Sequence, residues 1–215
     1  MTTGLDHAQI ATEVGLEKTS RFSSVLFTFY LGAHMTLKNV IMAFLSSRGG
    51  LIVLSAVVAV IARILLWPLT TRDFVIAGLI VSLWPAFEYV AHRWVLHEWT
   101  WTPFRVTHDR HHDEPTTETG LPDTWVICLN FATSIIAAGT LPGVYTAHAT
   151  VQVMLLIYEF IHFTCHCNYE PKTWWGWSVR VNHLQHHKLQ SADRYAMSLP
   201  IFRVKGKASK EVQGE

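Results

Sequence analysis

Long apolar runs separated by short polar breaks give this chain a pattern that predicts helices rather than strands. Four runs stand out: residues 51–69, interrupted only by Arg63; 74–90, apolar until Glu88; 125–145, without a charge; and 147–163, uncharged until Glu159. At ~1.5 Å per helical residue such runs reach about 26 to 32 Å, which matches a ~30 Å hydrocarbon layer. The pattern therefore predicts an all-α integral membrane fold with four transmembrane helices in two hairpins. Residues 21–45 are also apolar and aromatic, but His34, Lys38 and Asn39 break them. The expectation there is an interfacial or half-inserted helix, with a fifth span as its rival. Polar punctuation falls at SSRGG (46–50), at Pro103, at DEPTTETGLPD (113–123), and at Pro142 with Gly143, read as a tight outer link between the third and fourth spans. Two units follow: an amino-terminal arm with an interfacial helix over 1–50, and a membrane domain over 51–215.

Composition and charge support this reading. Half of the 215 residues are apolar, 15% are charged, and the mean hydropathy is +0.22, more hydrophobic than an ordinary soluble domain. A soluble bundle with long buried helices is the competing reading, and the placement of basic residues argues against it. Fifteen of the seventeen Lys and Arg, all but Arg63 and Arg72, lie in the arm, after the second span or in the tail. The positive-inside rule then puts both termini in the cytoplasm, in a bacterial inner membrane or an endoplasmic reticulum membrane alike. No cleavable signal is expected, because the first twenty residues are polar and include Asp6, Glu13, Glu17 and Lys18. A net charge of +1 gives no reason to expect nucleic-acid binding. Three cysteines make no disulfide framework, and Cys165 and Cys167 flank His166 on the presumed cytoplasmic side, where thiols stay reduced. The tryptophans Trp174, Trp175 and Trp177 suit a membrane interface.

Histidines carry the chemistry. Ten of the thirteen fall into two matched sets: His92 and His97 ahead of His108, His111 and His112, then His162 and His166 ahead of His183, His186 and His187. Residues three and four apart share a helix face, so each HxxHH triplet can converge on one point. His92 and His97, five apart, lie about 140° apart on an ideal helix; they serve different metals or sit where the helix is ending. His92 and His97 leave the second span and His162 and His166 the fourth, so four crossings bring all clusters to one face. Ten imidazoles are too many for one ion and suit two of about five ligands each. Imidazole accepts Zn, Cu, Fe and Ni; spare coordination positions in a membrane setting favour redox iron over structural zinc, which Cys165 and Cys167 alone could supply with thiolates. His7, His34 and His148 read as surface or packing residues.

Carboxylates repeat the pattern. Glu88 precedes His92 by four residues and Glu159 precedes His162 by three, one turn deeper, where acidic groups read as functional. Either spacing allows a carboxylate to hold the outer ring N–H of a metal-bound histidine. Asp109 and Asn182 adjoin ligand histidines and can orient them. Tyr89 and Tyr158 read as packing. Arg63 has Glu88 and Glu159 as candidate partners, or it snorkels. Trp84, Phe87 and Phe131 either line a lipid-accessible tunnel or pack helices.

These motifs, EYVAHRWVLH at 88–97, HDRHH at 108–112, YEFIHFTCH at 158–166 and NHLQHH at 182–187, resemble the fatty acid hydroxylase superfamily. That membrane di-metal group includes sterol desaturases, C4-methyl sterol oxidases, fatty acid 2-hydroxylases and carotenoid hydroxylases, and the likeness covers about residues 51–206. It implies a membrane anchor under a cytoplasmic histidine-rich helical cap, with the ten histidines holding two iron ions, which zinc can replace in a purified or crystallised form. It also implies attack on an unactivated C–H bond of a lipid with O2 and two electrons. With no cytochrome b5 domain in the chain, electrons would come from a separate donor, such as cytochrome b5 or a ferredoxin with its reductase. Desaturation is the rival within that chemistry. A membrane metal-binding or transport protein is the rival of another class; it would spread ionisable residues through the depth of the helices.

Overall fold

The structure, a computed structural model, describes residues 34–189, 195, 197 and 198, and every regular element among them is helical. In chain order these are α1 (Leu37–Ser46), α2 (Gly49–Leu66), α3 (Thr71–Val90) with a π-helical continuation (Ala91–Glu98), α4 (Pro103–Asp113), α5 (Thr124–Ala138), α6 (Pro142–His166) and α7 (Trp174–Leu189).

Three of them are long and apolar enough to cross a membrane: α2, α3 with its continuation, and α6. The expected third span is shorter than its apolar run. α5 has 15 residues, about 22 Å of helix, because the run 125–145 is split at 139–141. Pro142 causes the split: its fixed φ and missing N–H suit the first turn of a helix, and Leu141 before it is extended at φ −71, ψ 145. Pro142 and Gly143 therefore open α6 rather than forming the link.

Apolar side chains point outward. Leu65, Ile135 and Ile136 are 78%, 76% and 70% exposed, whereas Ser55, Arg63 and Gln152 are buried. Water would select the reverse arrangement; a hydrocarbon surround selects this one. α6 is the central helix, packing against α2, α3 and α5. Midway along it, Gln152 accepts hydrogen bonds from Ser55 (3.2 Å) and Asn130 and donates back to Asn130, while Ser134 pairs with His148 at 2.7 Å. His148 is thus part of the packing between α5 and α6.

Polar knots close both ends of this bundle. At the end away from the histidine clusters, Arg63 donates to Asp73 and to Thr146, and Asp73 also accepts the Thr70 N–H and hydroxyl at 2.8 and 2.7 Å. Arg63 pairs with neither Glu88 nor Glu159: it lies in the last turn of α2, at the opposite end of the bundle from both. At the histidine end, Asp123 binds Arg48 at 3.0 Å and Arg110 at 2.7 Å, tying the start of α2 to α4 and α5.

α1 packs Phe44 edge-on against Phe160 and Phe163 of α6, each at 5.3 Å between ring centroids. The SSRGG break narrows to a corner at Ser47 and Arg48. A Cβ on Gly49 would stand 2.6 Å from the Phe44 carbonyl oxygen, so only glycine fits so sharp a corner. Residues 21–33 of the expected interfacial helix lie outside the described residues.

Because the Arg63 and Asp73 knot joins three long helices far from the histidines, Asp73→Ala is expected to lower the unfolding temperature in detergent. Metal content per chain should not change, and calorimetry with elemental analysis checks both.

Candidate metal centre

The ten clustered histidines meet as two groups of five. One contains His92, His97, His108, His112 and His186; the other contains His111, His162, His166, His183 and His187; within each, the ligand atoms all lie within 4.8 Å of one another.

Local geometry explains the sorting. In a π-helix each N–H reaches back five residues, as in Trp99 N to Trp94 O at 2.7 Å, so residues five apart stack on one face. That brings His92 and His97 into a single group; the ideal-helix angle of about 140° does not apply. The HxxHH triplets do not converge on one point, because neighbours such as His111 and His112 diverge by about 100°. His108 and His112 face the first group and His111 the second; His183 and His187 face the second and His186 the first. Each group therefore takes one ligand from the other half of the repeat. They abut through His112 and His187, whose rings stack at 4.3 Å.

Within each group the Nε2 atoms face one another. His108 Nε2 lies 3.2, 3.0 and 3.1 Å from those of His92, His97 and His112, and His97 Nε2 lies 3.1 Å from that of His186. In the second group, His162 Nε2 is 2.9 Å from His111 and 3.3 Å from His166, and His183 Nε2 is 2.8 Å from His166 and 3.0 Å from His187.

Burial keeps the α4 and α7 imidazoles neutral. Desolvation first, and then neighbouring imidazoles, hold His108, His111, His183 and His186 below the usual histidine range, His112 at about 4 and His187 at about 2. Five neutral rings can share only a few N–H···N bonds among five converging lone pairs, and a cation satisfies all five. On the far side, Nδ1 of His112, His183, His186 and His187 is buried with no partner among the described residues; each such group costs about 1–3 kcal/mol, which a metal bond at Nε2 offsets. The donor set fits a bound metal.

Cysteine does not enter. Cys167 is buried, which pushes its thiol up to about 12, so it stays protonated. Cys165 is also buried and free.

The acidic candidates separate. Glu159 Oε2 lies 4.0 Å from Nδ1 of His162, beyond a hydrogen bond but within one small side-chain adjustment. Glu88 bonds instead to the backbone N–H groups of Met197 and Ser198 and to the Ser198 hydroxyl. Nδ1 of His92 is held by the Tyr195 carbonyl at 2.8 Å. Asp109 pairs with Arg105 at 3.2 Å, half exposed, and Asn182 is buried next to His183. Tyr89 receives a hydrogen bond from Arg93 at 2.8 Å, and the Tyr158 ring lies 5.9 Å from His162. Trp84 is buried, its ring 5.4 Å from that of the exposed Phe87 on the same helix, and Phe131 packs on the core around Phe44.

Sequence reasoning missed three contributors. Thr119 lies 3.4 Å from Nδ1 of His111, and a Cβ on Gly120 would stand 3.1 Å from the His111 ring and 3.4 Å from that of His162. The polar stretch 113–123 is thus a wall of the second group. Arg180 donates to the carbonyls of Thr164, Cys167 and Tyr169 at 3.3, 2.7 and 2.7 Å, holding α7 to the end of α6. A lone arginine three residues before a histidine box was the only signal for it.

An apolar-surfaced helical chain with ten buried or half-buried imidazoles gathered at one end defines a membrane protein with a histidine metal site. The fatty acid hydroxylase family model matches residues 77–203, which include all ten histidines and more than half of the chain, and the chain belongs to that family. Its members are generally oxidoreductases, hydroxylases or desaturases. No curated protein and no solved structure matches the chain.

Two outcomes are expected. Gly120→Ala crowds His111 and His162 and should cost about 1–3 kcal/mol of stability with weaker metal retention, read by thermal unfolding and metal counts. In metal-free protein the unfolded chain binds protons below 6.5 that His112 resists down to about 4, so stability should fall as pH drops through that window; melts across it provide the check.

Proposed function

We propose that the chain is a membrane-bound di-iron oxygenase that hydroxylates an unactivated C–H bond of a lipid, whether fatty acyl, sterol or isoprenoid. The overall reaction consumes the lipid, O2, two electrons and two protons and yields the hydroxylated lipid and water. The observation that carries this reading is the pair of abutting five-nitrogen groups at the ends of lipid-facing helices. Iron held there supplies the O2 and electron chemistry that imidazole and carboxylate side chains lack.

The residues have defined tasks in this reading. All ten histidines present Nε2 inward as ligands, those of α4 and α7 kept neutral by burial. Glu159 orients His162, and Asp109 and Asn182 support the α4 and α7 ligands. Thr119 and Gly120 keep water from the second group, and the exposed apolar face of α3 leads lipid toward the first.

Four crossings complete the topology, with α5 and its flanks supplying the short one, and both termini and the metal site lie in the cytoplasm by the positive-inside rule. A separate donor, cytochrome b5 or a ferredoxin with its reductase, delivers the electrons. Transport is less well supported: Arg63 and Asp73 lie at the end of the bundle away from the histidines, closed on each other rather than lining a track.

Anaerobic iron loading of purified protein should give close to two ions per chain, and one or none would overturn the two-metal reading. With a lipid substrate and a reductant, mass spectrometry should show a gain of one oxygen without loss of two hydrogens. Loss of two hydrogens without oxygen would make it a desaturase. His111→Ala should abolish oxygenation while helix content is retained.

A further inference from the structure

Glu88 stands one turn from His92, yet its bonds lead elsewhere. The carboxylate is buried at 4% exposure and accepts the Met197 N–H, the Ser198 N–H at 2.9 Å, and the Ser198 hydroxyl. Three residues before Ser198, the Tyr195 carbonyl accepts from Nδ1 of His92 at 2.8 Å. Trp175, on α7, donates its indole N–H to the Ser198 carbonyl at 3.2 Å. Ser198 is therefore held by α3 on one side and by α7 on the other, the two helices that bring His92, His97 and His186 together.

Tyr195 itself is buried. Its ring packs on those of His92, His97 and His186 at 5.3, 5.2 and 5.3 Å, all members of the first group, and on Tyr89 at 5.9 Å. Each of these histidine ring contacts is with the first group. A buried carboxylate at this depth is costly unless donors surround it, so it holds the segment as firmly as the segment satisfies it. A carbonyl at Nδ1 places the ring proton there and leaves the Nε2 lone pair facing the group.

We infer that Glu88 is a positioning residue that latches Tyr195, Met197 and Ser198 across the first histidine group. Through Tyr195, the latch selects which nitrogen of His92 faces a metal and closes that group's outer wall. The inference rests on the reading that both groups hold metal. It separates them: the first depends on the latch, the second does not.

The test uses the full chain in detergent, with hydrogen exchange at Met197 and Ser198 and iron counted per chain. Glu88→Ala should speed exchange at those amides by about 10- to 100-fold, the worth of charge-assisted hydrogen bonds, and lower the iron count from two to one. In that background His108→Ala should remove no further iron and His111→Ala should remove the remaining ion. Glu88→Gln, which keeps an accepting oxygen, should restore slow exchange and both ions. Trp175→Phe, at an exposed site, should loosen Ser198 partially without disturbing the fold. Unchanged exchange in Glu88→Ala, or equal loss of metal from both groups, overturns the latch. A wild-type chain that binds fewer than two ions overturns the functional reading instead, and exchange still decides whether the latch exists.

Discussion

Ten imidazoles turned toward one another at one end of the bundle bring their Nε2 atoms within about 3 Å, and that crowding orders the rest of the molecule. Facing rings can share only a few N–H···N bonds in the absence of a cation, so the fold must hold them there by other means. It does so with bonds outside the rings: Asp123 to Arg48 and Arg110, Arg180 to the end of α6, and Glu88 to the backbone of Met197 and Ser198. The site is thus held together by the scaffold around it, which is how a protein makes a site ready for an ion.

Two solvents act on one chain. Within the bundle, lipid outside demands apolar surfaces and tolerates polar groups only where they are satisfied by one another, as Gln152, Asn130 and Ser55 are. At the histidine end, exposed tryptophans such as Trp101 and Trp174 face outward while the imidazoles face inward. α3 joins these regimes, and the switch from α- to π-helix falls where it passes from the membrane span to the histidine end.

Much of this was legible from residue order. The ten histidines were separable from His34 and His148 by spacing alone, and the five-residue interval between His92 and His97 already signalled that no ordinary helix turn held both. What spacing could not show was the two-to-one division of each HxxHH triplet, because that depends on where α4 and α7 sit relative to each other. The length of α5 was misjudged because hydrophobicity runs on through Leu141, whereas Pro142 restarts the helix. Arg63 and Glu88 found partners that sequence proximity to histidines did not indicate. One is joined to Thr146, the other to Ser198, and long-range contacts of this kind leave no periodic trace.

The crosswise ligand exchange has a consequence in time as well as space. A chain emerging in order presents His92, His97, His108 and His112 long before His186, and His111, His162 and His166 before His183 and His187. Neither group can close until α7 has emerged and docked, so a growing chain carries no finished centre. The histidine site is thereby completed only after the bundle beneath it is in place.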